Sequence, residues 1–206
     1  MHIPAGRTAD QEILTFQTAW ALAQEPQSAY DQRQWLYVPP LYAEYRYVLG
    51  TRGIHPLLCI GINPSTAAPD ALDNTLKSVQ RIATANGFDS FLMFNVYAQR
   101  ATSPDDMERD VNPVLHEQNM KAFAHMLTLS GGRMPTVWAA WGNLIEKRPY
   151  LPLCVLDMIA IGKAHGAAWF TAGSRSKKGH PHHPLYLKAD SALDPFDVES
   201  YINGLT

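Results

Sequence analysis

Two short stretches concentrate the residue types able to do chemistry. The first, Gly61-Ile62-Asn63-Pro64-Ser65-Thr66, follows an apolar run. It joins a glycine that permits close backbone approach, a proline that fixes the turn and an asparagine with both donors and acceptors. Such a turn suits a ligand contact or a positioned water; the competing reading is a strand-to-helix junction in which Ser65 or Thr66 caps the next helix. The second stretch, Ser174 to Lys188, carries four Lys or Arg, three His and no acid. The functional reading of that segment is an anion or phosphate contact, with a histidine placed to donate to a developing negative charge. The competing reading is a solvated turn. His180, His182 and His183 have a metal-like spacing, but they sit among prolines with no Cys or carboxylate close in sequence, so no metal is expected.

Asn95 ends the apolar run that starts at Phe91, and its amide suits either the edge of a nucleobase or a backbone partner inside the fold. Arg100 follows five residues later. Trp138, Trp141, Trp169, Tyr97 and Tyr186 offer either a stacking wall for a planar ligand or ordinary core packing. Asp70, Asp73 and Asp106 are candidate general bases, each also explained by helix capping or exposure. The chain has no Ser-His-Asp spacing, no P-loop and no GxGxxG.

These residues need elements to hold them. Strand-like runs cover 45–49 (closed by Gly50), 57–62, 91–97, 136–141 and 167–171; helical spacing covers 8–24, 72–83 with a stop at Asn86-Gly87, 113–127 and 151–164. The alternation predicts an α/β fold, a three-layer sandwich with a mainly parallel central sheet and helices on both faces. Ligands of open α/β sheets bind beyond the carboxyl ends of the strands. There the runs are followed by 61–66, 95–102, 141–143 and 173–186, turns expected to converge on one rim. Residues 1–43 read as a helical cover packed on a domain spanning 44–206.

The 206 residues, 46% hydrophobic and 17% charged, suffice for one sizeable core. No segment approaches the ~20 apolar residues of a membrane span, and the opening residues lack a secretory pattern, so a cytoplasmic protein without membrane partners is expected. Cys59 and Cys154 form no CxxC pair and read as reduced, buried residues. A net charge of -2 argues against avid nonspecific nucleic-acid binding, so any such contact must use a local basic patch. No cofactor is expected, and no pattern indicates an oligomeric state.

Taken in order, Tyr45-Arg46-Tyr47-Val48-Leu49, Gly61 to Ala67, Asp73-Asn74-Thr75, Asn95 with Arg100-Ala101-Thr102-x-Pro104, Ala140-Trp141-Gly142 and Gly179-x-Pro181-x-His183-Pro184-Leu185-Tyr186 resemble a bacterial family of unknown function, number 1643. The likeness runs over residues 44 to 190, and that family carries no assigned activity. The order Gly-x-Asn-Pro, strand-end Asn, Trp-Gly and late His-Pro-Leu is also similar to the uracil-DNA glycosylase superfamily, including its mismatch-specific branch. That resemblance implies a glycosylase-like fold in which Asn63 positions the hydrolytic water, Asn95 reads the base edge and His183 stabilises the leaving base. Gly61, Pro64, Ser65, Thr66, Arg100, Trp141 and Tyr186 would complete the substrate site, with Tyr97 or Trp141 packing a flipped base and Arg175, Lys177 and Lys178 meeting phosphate. The chain departs from the superfamily pattern at Asn63, where the most active branch has an Asp able to take a proton, and in having no Ser after His183-Pro184 and no apolar wedge. The expected function is recognition of a nucleobase, nucleotide or nucleic acid with hydrolysis of an N-glycosidic bond. The alternatives are a non-catalytic binding module and a small-molecule hydrolase using Asp73 or a His-bound metal.

Overall fold

The computed structural model describes residues 1–27 and 29–205. In chain order, the elements are α1 (Phe16–Leu22), β1 (Trp35–Val38), β2 (Val48–Thr51), β3 (Pro56–Gly61), α2 (Asn74–Ala85), β4 (Ser90–Asn95), α3 (Pro113–Leu127), β5 (Thr136–Ala139), α4 (Tyr150–Ala164), β6 (Ala168–Ala172), β7 (Leu193–Pro195) and α5 (Val198–Asn203). The strands form one sheet in the order β1-β2-β4-β3-β5-β6-β7.

The expected α/β class holds, but the sheet is mixed and not mainly parallel. Only β4, β3, β5 and β6 run parallel, because α2, α3 and α4 supply the crossovers that parallel neighbours need. β1 pairs antiparallel with β2, and β2 with β4. β7 returns antiparallel along β6, since the chain between them contains no crossover helix.

The parallel strands alternate cleanly. Leu58, Ile60, Leu92, Phe94, Val137 and Ala139 face one core with α1, α3, α4 and α5. Leu57, Cys59, Phe91, Met93, Trp138 and Ala140 face the other, with Leu76, Val79 and Ile82 of α2. Near-continuous apolar runs are what strands buried on both faces require. Both cysteines are free and buried, and burial pushes the Cys154 thiol up to about 12.

Several boundaries moved. The helix expected over residues 8–24 reduces to a 3-10 turn at Thr8–Asp10 and the short α1. The segment 1–43 is more than a helical cover, because it contributes β1 to the sheet. Gly50 does not close a strand; it lies inside β2, where an added Cβ would stand 2.1 Å from the Phe91 carbonyl. No helix among the described residues is long and apolar enough to cross a membrane.

Candidate functional site

The connection after β3 leads to α2 on one face, whereas those after β4 and β5 lead to α3 and α4 on the other. Opposed departures of this kind open a crevice at the carboxyl ends of the strands. A cavity of about 360 Å³ lies there, lined by Arg46, Gly61, Asn63, Asp73, Asn95 and His183 among others. Three turns that are far apart in sequence thus meet on one polar surface.

Gly61, the last residue of β3, leaves room for its neighbours: a Cβ there would stand 2.6 Å from Met93 Cε and 3.1 Å from the Asn95 side-chain amide. Asn63 donates its amide nitrogen to the carbonyls of Pro64 (3.1 Å) and Ala101 (2.7 Å), so its oxygen is the group left for a ligand or a water. Asn95 ends β4 and is 1% exposed. With its amide oriented to suit its surroundings, its nitrogen donates to the carbonyls of Phe94 and Asn63, each at 3.3 Å. In both asparagines the amide nitrogen is thus spent on backbone carbonyls, which leaves the oxygen as the acceptor.

His183 supplies a donor. Its Nδ1 accepts from the Leu185 amide at 3.3 Å, capping the 3-10 turn Pro184–Tyr186. A ring that accepts at Nδ1 carries its proton on Nε2 when neutral. Burial holds the ring below its ordinary pKa; Asp73 works against that and His182 adds to it. The ring is thus mainly neutral at neutral pH.

Asp73 sits at the amino end of α2, where its Oδ1 accepts from the Leu76 amide at 2.9 Å. Arg46, which the sequence reading placed only within a strand motif, also lines the cavity and is 1% exposed. Its Nη1 donates to the Ala67 carbonyl at 2.8 Å, and its Nε is buried without a partner. Burial, and then the nearby Arg100, lower its pKa to about 9, so it stays charged at neutral pH. An arginine among Tyr45, Tyr47 and Val48 reads as a strand residue facing solvent; only the tertiary fold turns it inward.

Arg100 is buried too, but it holds the 63–66 turn and does not line the cavity. Its guanidinium donates to the Ser65 carbonyl and to the Tyr37 hydroxyl (2.8 Å) and stacks on the Tyr42 ring at 4.5 Å. Ser65 lines the cavity and its hydroxyl pairs with that of Thr102 at 3.1 Å. Pro64 is buried in the turn, its carbonyl accepting from the Ala101 amide, and Thr66 points to solvent outside the cavity.

A second cavity of about 630 Å³ shares Leu144 and His183 with the first and is lined by Trp141, Arg175, His182 and Tyr186. Tyr186 is 75% exposed there, its ring beside those of His182 and His183. Trp141 is fully buried and donates its indole N–H to the Tyr201 hydroxyl at 3.0 Å. Trp138, Trp169 and Tyr97 are core residues as well, Tyr97 donating to Glu108 at 2.9 Å. Arg175 and Lys177 are exposed, whereas Lys178 is paired with Glu146 at 2.7 Å.

The three histidines diverge. His180 meets the Tyr201 hydroxyl at 2.9 Å and His182 the Ser174 carbonyl at 3.1 Å, while His183 faces the cavity. Among the described residues no three His, Cys, Asp or Glu side chains are grouped to hold a metal. Asp70 accepts from the Trp35 indole at 2.9 Å, and Asp106 lines a different groove beside the amino-terminal segment.

Fold and site together define an α/β protein with a mixed seven-stranded sheet and a polar cavity at the carboxyl ends of its parallel strands. The model of the family described as "Protein of unknown function (DUF1643)" matches residues 46–185, about two thirds of the chain, and the chain belongs to that family. No curated protein and no solved structure matches it.

Proposed function

We propose that the cavity recognises a nucleobase or nucleotide on a uracil-DNA-glycosylase-like fold, and that its reaction is hydrolysis of an N-glycosidic bond. The observation that carries this reading is the meeting of Asn63, Asn95 and His183, from three separate turns, on one cavity. Two amide oxygens beside an imidazole N–H complement a base edge on which an N–H donor adjoins a carbonyl acceptor.

In the reaction, a water held by the Asn63 oxygen attacks the anomeric carbon, the carbon–nitrogen bond breaks, and its electron pair leaves with the base. His183 Nε2–H donates to the base oxygen where the negative charge gathers, without passing on its proton. Asn63 cannot take the proton of the water. Asp73 is the one carboxylate lining this cavity among the described residues, and it is the acceptor.

The test is single-turnover base release, with excess protein, from mononucleotides and from single- and double-stranded oligonucleotides bearing uracil, hypoxanthine, xanthine or mismatches. Release that drops at least 100-fold in His183→Ala is the expected result. Burial holds the His183 pKa below its ordinary value of 6.5, so the dependence of release on the neutral ring is expected to show on the acid side of 6.5. No release from any substrate by folded protein would sink the enzymatic part.

A non-catalytic sensor is the second reading. The commitment of the Asn63 nitrogen to backbone and of Asp73 Oδ1 to its helix cap favours it. Binding without turnover, unaffected by His183→Ala, is its signature.

A further inference from the structure

Arg46 takes no part in the reaction just described, yet it is the most costly residue of the cavity to bury. A guanidinium removed from water needs a counter-charge and partners for its five donors. Here one donor reaches the Ala67 carbonyl and Nε has no partner. Among the described residues no carboxylate stands within 4.0 Å of Arg46 or of the neighbouring Arg100. Asp73 acts on Arg46 only through space, and the two guanidiniums repel each other. A charged group kept buried under those conditions is one made for an anion that arrives with a ligand.

We infer that Arg46 is the anion subsite of this cavity and that the ligand is a phosphomonoester, a mononucleotide and not a base carried in a nucleic-acid strand. The substrate class rests on the nucleobase reading of the same cavity. Three observations favour a terminal phosphate over the diester of a polymer. Arg46 is buried at 1% exposure, and a terminal phosphate reaches a buried guanidinium with one connection to the rest of its ligand where a diester carries two. Ser65 and Thr102 line the same cavity, and their paired hydroxyls leave one proton for a phosphate oxygen to accept. The chain as a whole carries a net charge of -2, which opposes a polyanion more than a single phosphate. Asp73 would repel the phosphate itself and accept from the sugar hydroxyls, which orders the ligand: phosphate toward Arg46, sugar at Asp73, base between Asn95 and His183.

Isothermal titration calorimetry on the full chain tests this with the four ribonucleoside 5′- and 3′-monophosphates, their nucleosides, ribose 5-phosphate and unphosphorylated oligonucleotides. At least one monophosphate should bind tenfold or more tightly than its nucleoside, and Arg46→Met should erase that difference while leaving nucleoside affinity in place. Ribose 5-phosphate binding as well as every nucleotide would uphold the anion subsite and remove the nucleobase reading. A nucleoside or an unphosphorylated oligonucleotide that binds as tightly as the monophosphate would overturn the inference and spare the nucleobase reading, as would an Arg46→Met protein that keeps the preference. No binding of any monophosphate at millimolar concentration overturns it too. These comparisons on the unaltered protein decide the matter even if Arg46→Met fails to fold.

Discussion

Asp73 has two tasks that one substitution separates. As the N-cap of α2 it satisfies the Leu76 amide, and as a cavity carboxylate it accepts the proton of the attacking water. Asparagine caps as well as aspartate but takes no proton. Asp73→Asn should therefore keep Tm within about 2 °C by calorimetry while base release falls at least 100-fold. Asp73→Ala should lose release and also about 1 kcal/mol of stability, roughly 2–4 °C in a domain of this size. Equal release by the asparagine variant and the parent protein would leave Asp73 as a cap alone. At this scale the sequence singled out Asn63, Asn95 and His183, which the fold brings to one cavity. It was silent on Arg46, since a charge in a strand motif carries no sign of which way it faces. It left Trp141 open between stacking and packing, because an indole that packs inward beside Tyr201 has the same spacing as one that stacks a ligand.

The late loop that carries His183 is held by an element the sequence did not announce. Tyr201 of α5 accepts from the Trp141 indole and bonds to His180 Nδ1, so one hydroxyl ties β5's exit, the loop and α5 together. His180 then directs Nε2 toward Glu146 Oε1 at 3.3 Å, ion-pair distance without hydrogen-bond alignment. Tyr201→Phe strands two buried polar groups, at about 2 kcal/mol in all, and should lower Tm by roughly 4–8 °C. Ligand affinity should fall with it, since His183 lies three residues beyond His180; a Tm loss without change in the dissociation constant would uncouple α5 from the site. The long apolar runs of β3 and β4 and the capped α2 and α3 were legible because burial on both faces or 3.6-residue spacing leaves a strong mark. The outer elements were not. β7 is Leu-Asp-Pro, tolerable only at an edge, and α5 has six residues, too few to show a period.

At the scale of the whole molecule the sheet separates two apolar layers, and the parallel centre is bounded on each side by antiparallel strands. We read residues 1–43 and 44–206 as one folding body for that reason: β1 hydrogen-bonds to β2 across the boundary between them. The match to the family covers residues 46–185 and so stops short of β1, β7 and α5. A chain trimmed to that match would present β2 and β6 as raw borders and uncover Trp141 and Trp169 where Tyr201 and Phe196 now pack. Open strand borders recruit further copies. Light scattering should find the trimmed chain in large, polydisperse particles at concentrations where the full chain gives one sharp species; a well-behaved fragment of native ellipticity would refute this. The line that marks kinship and the line that marks a self-sufficient solid are drawn at different places on this polypeptide.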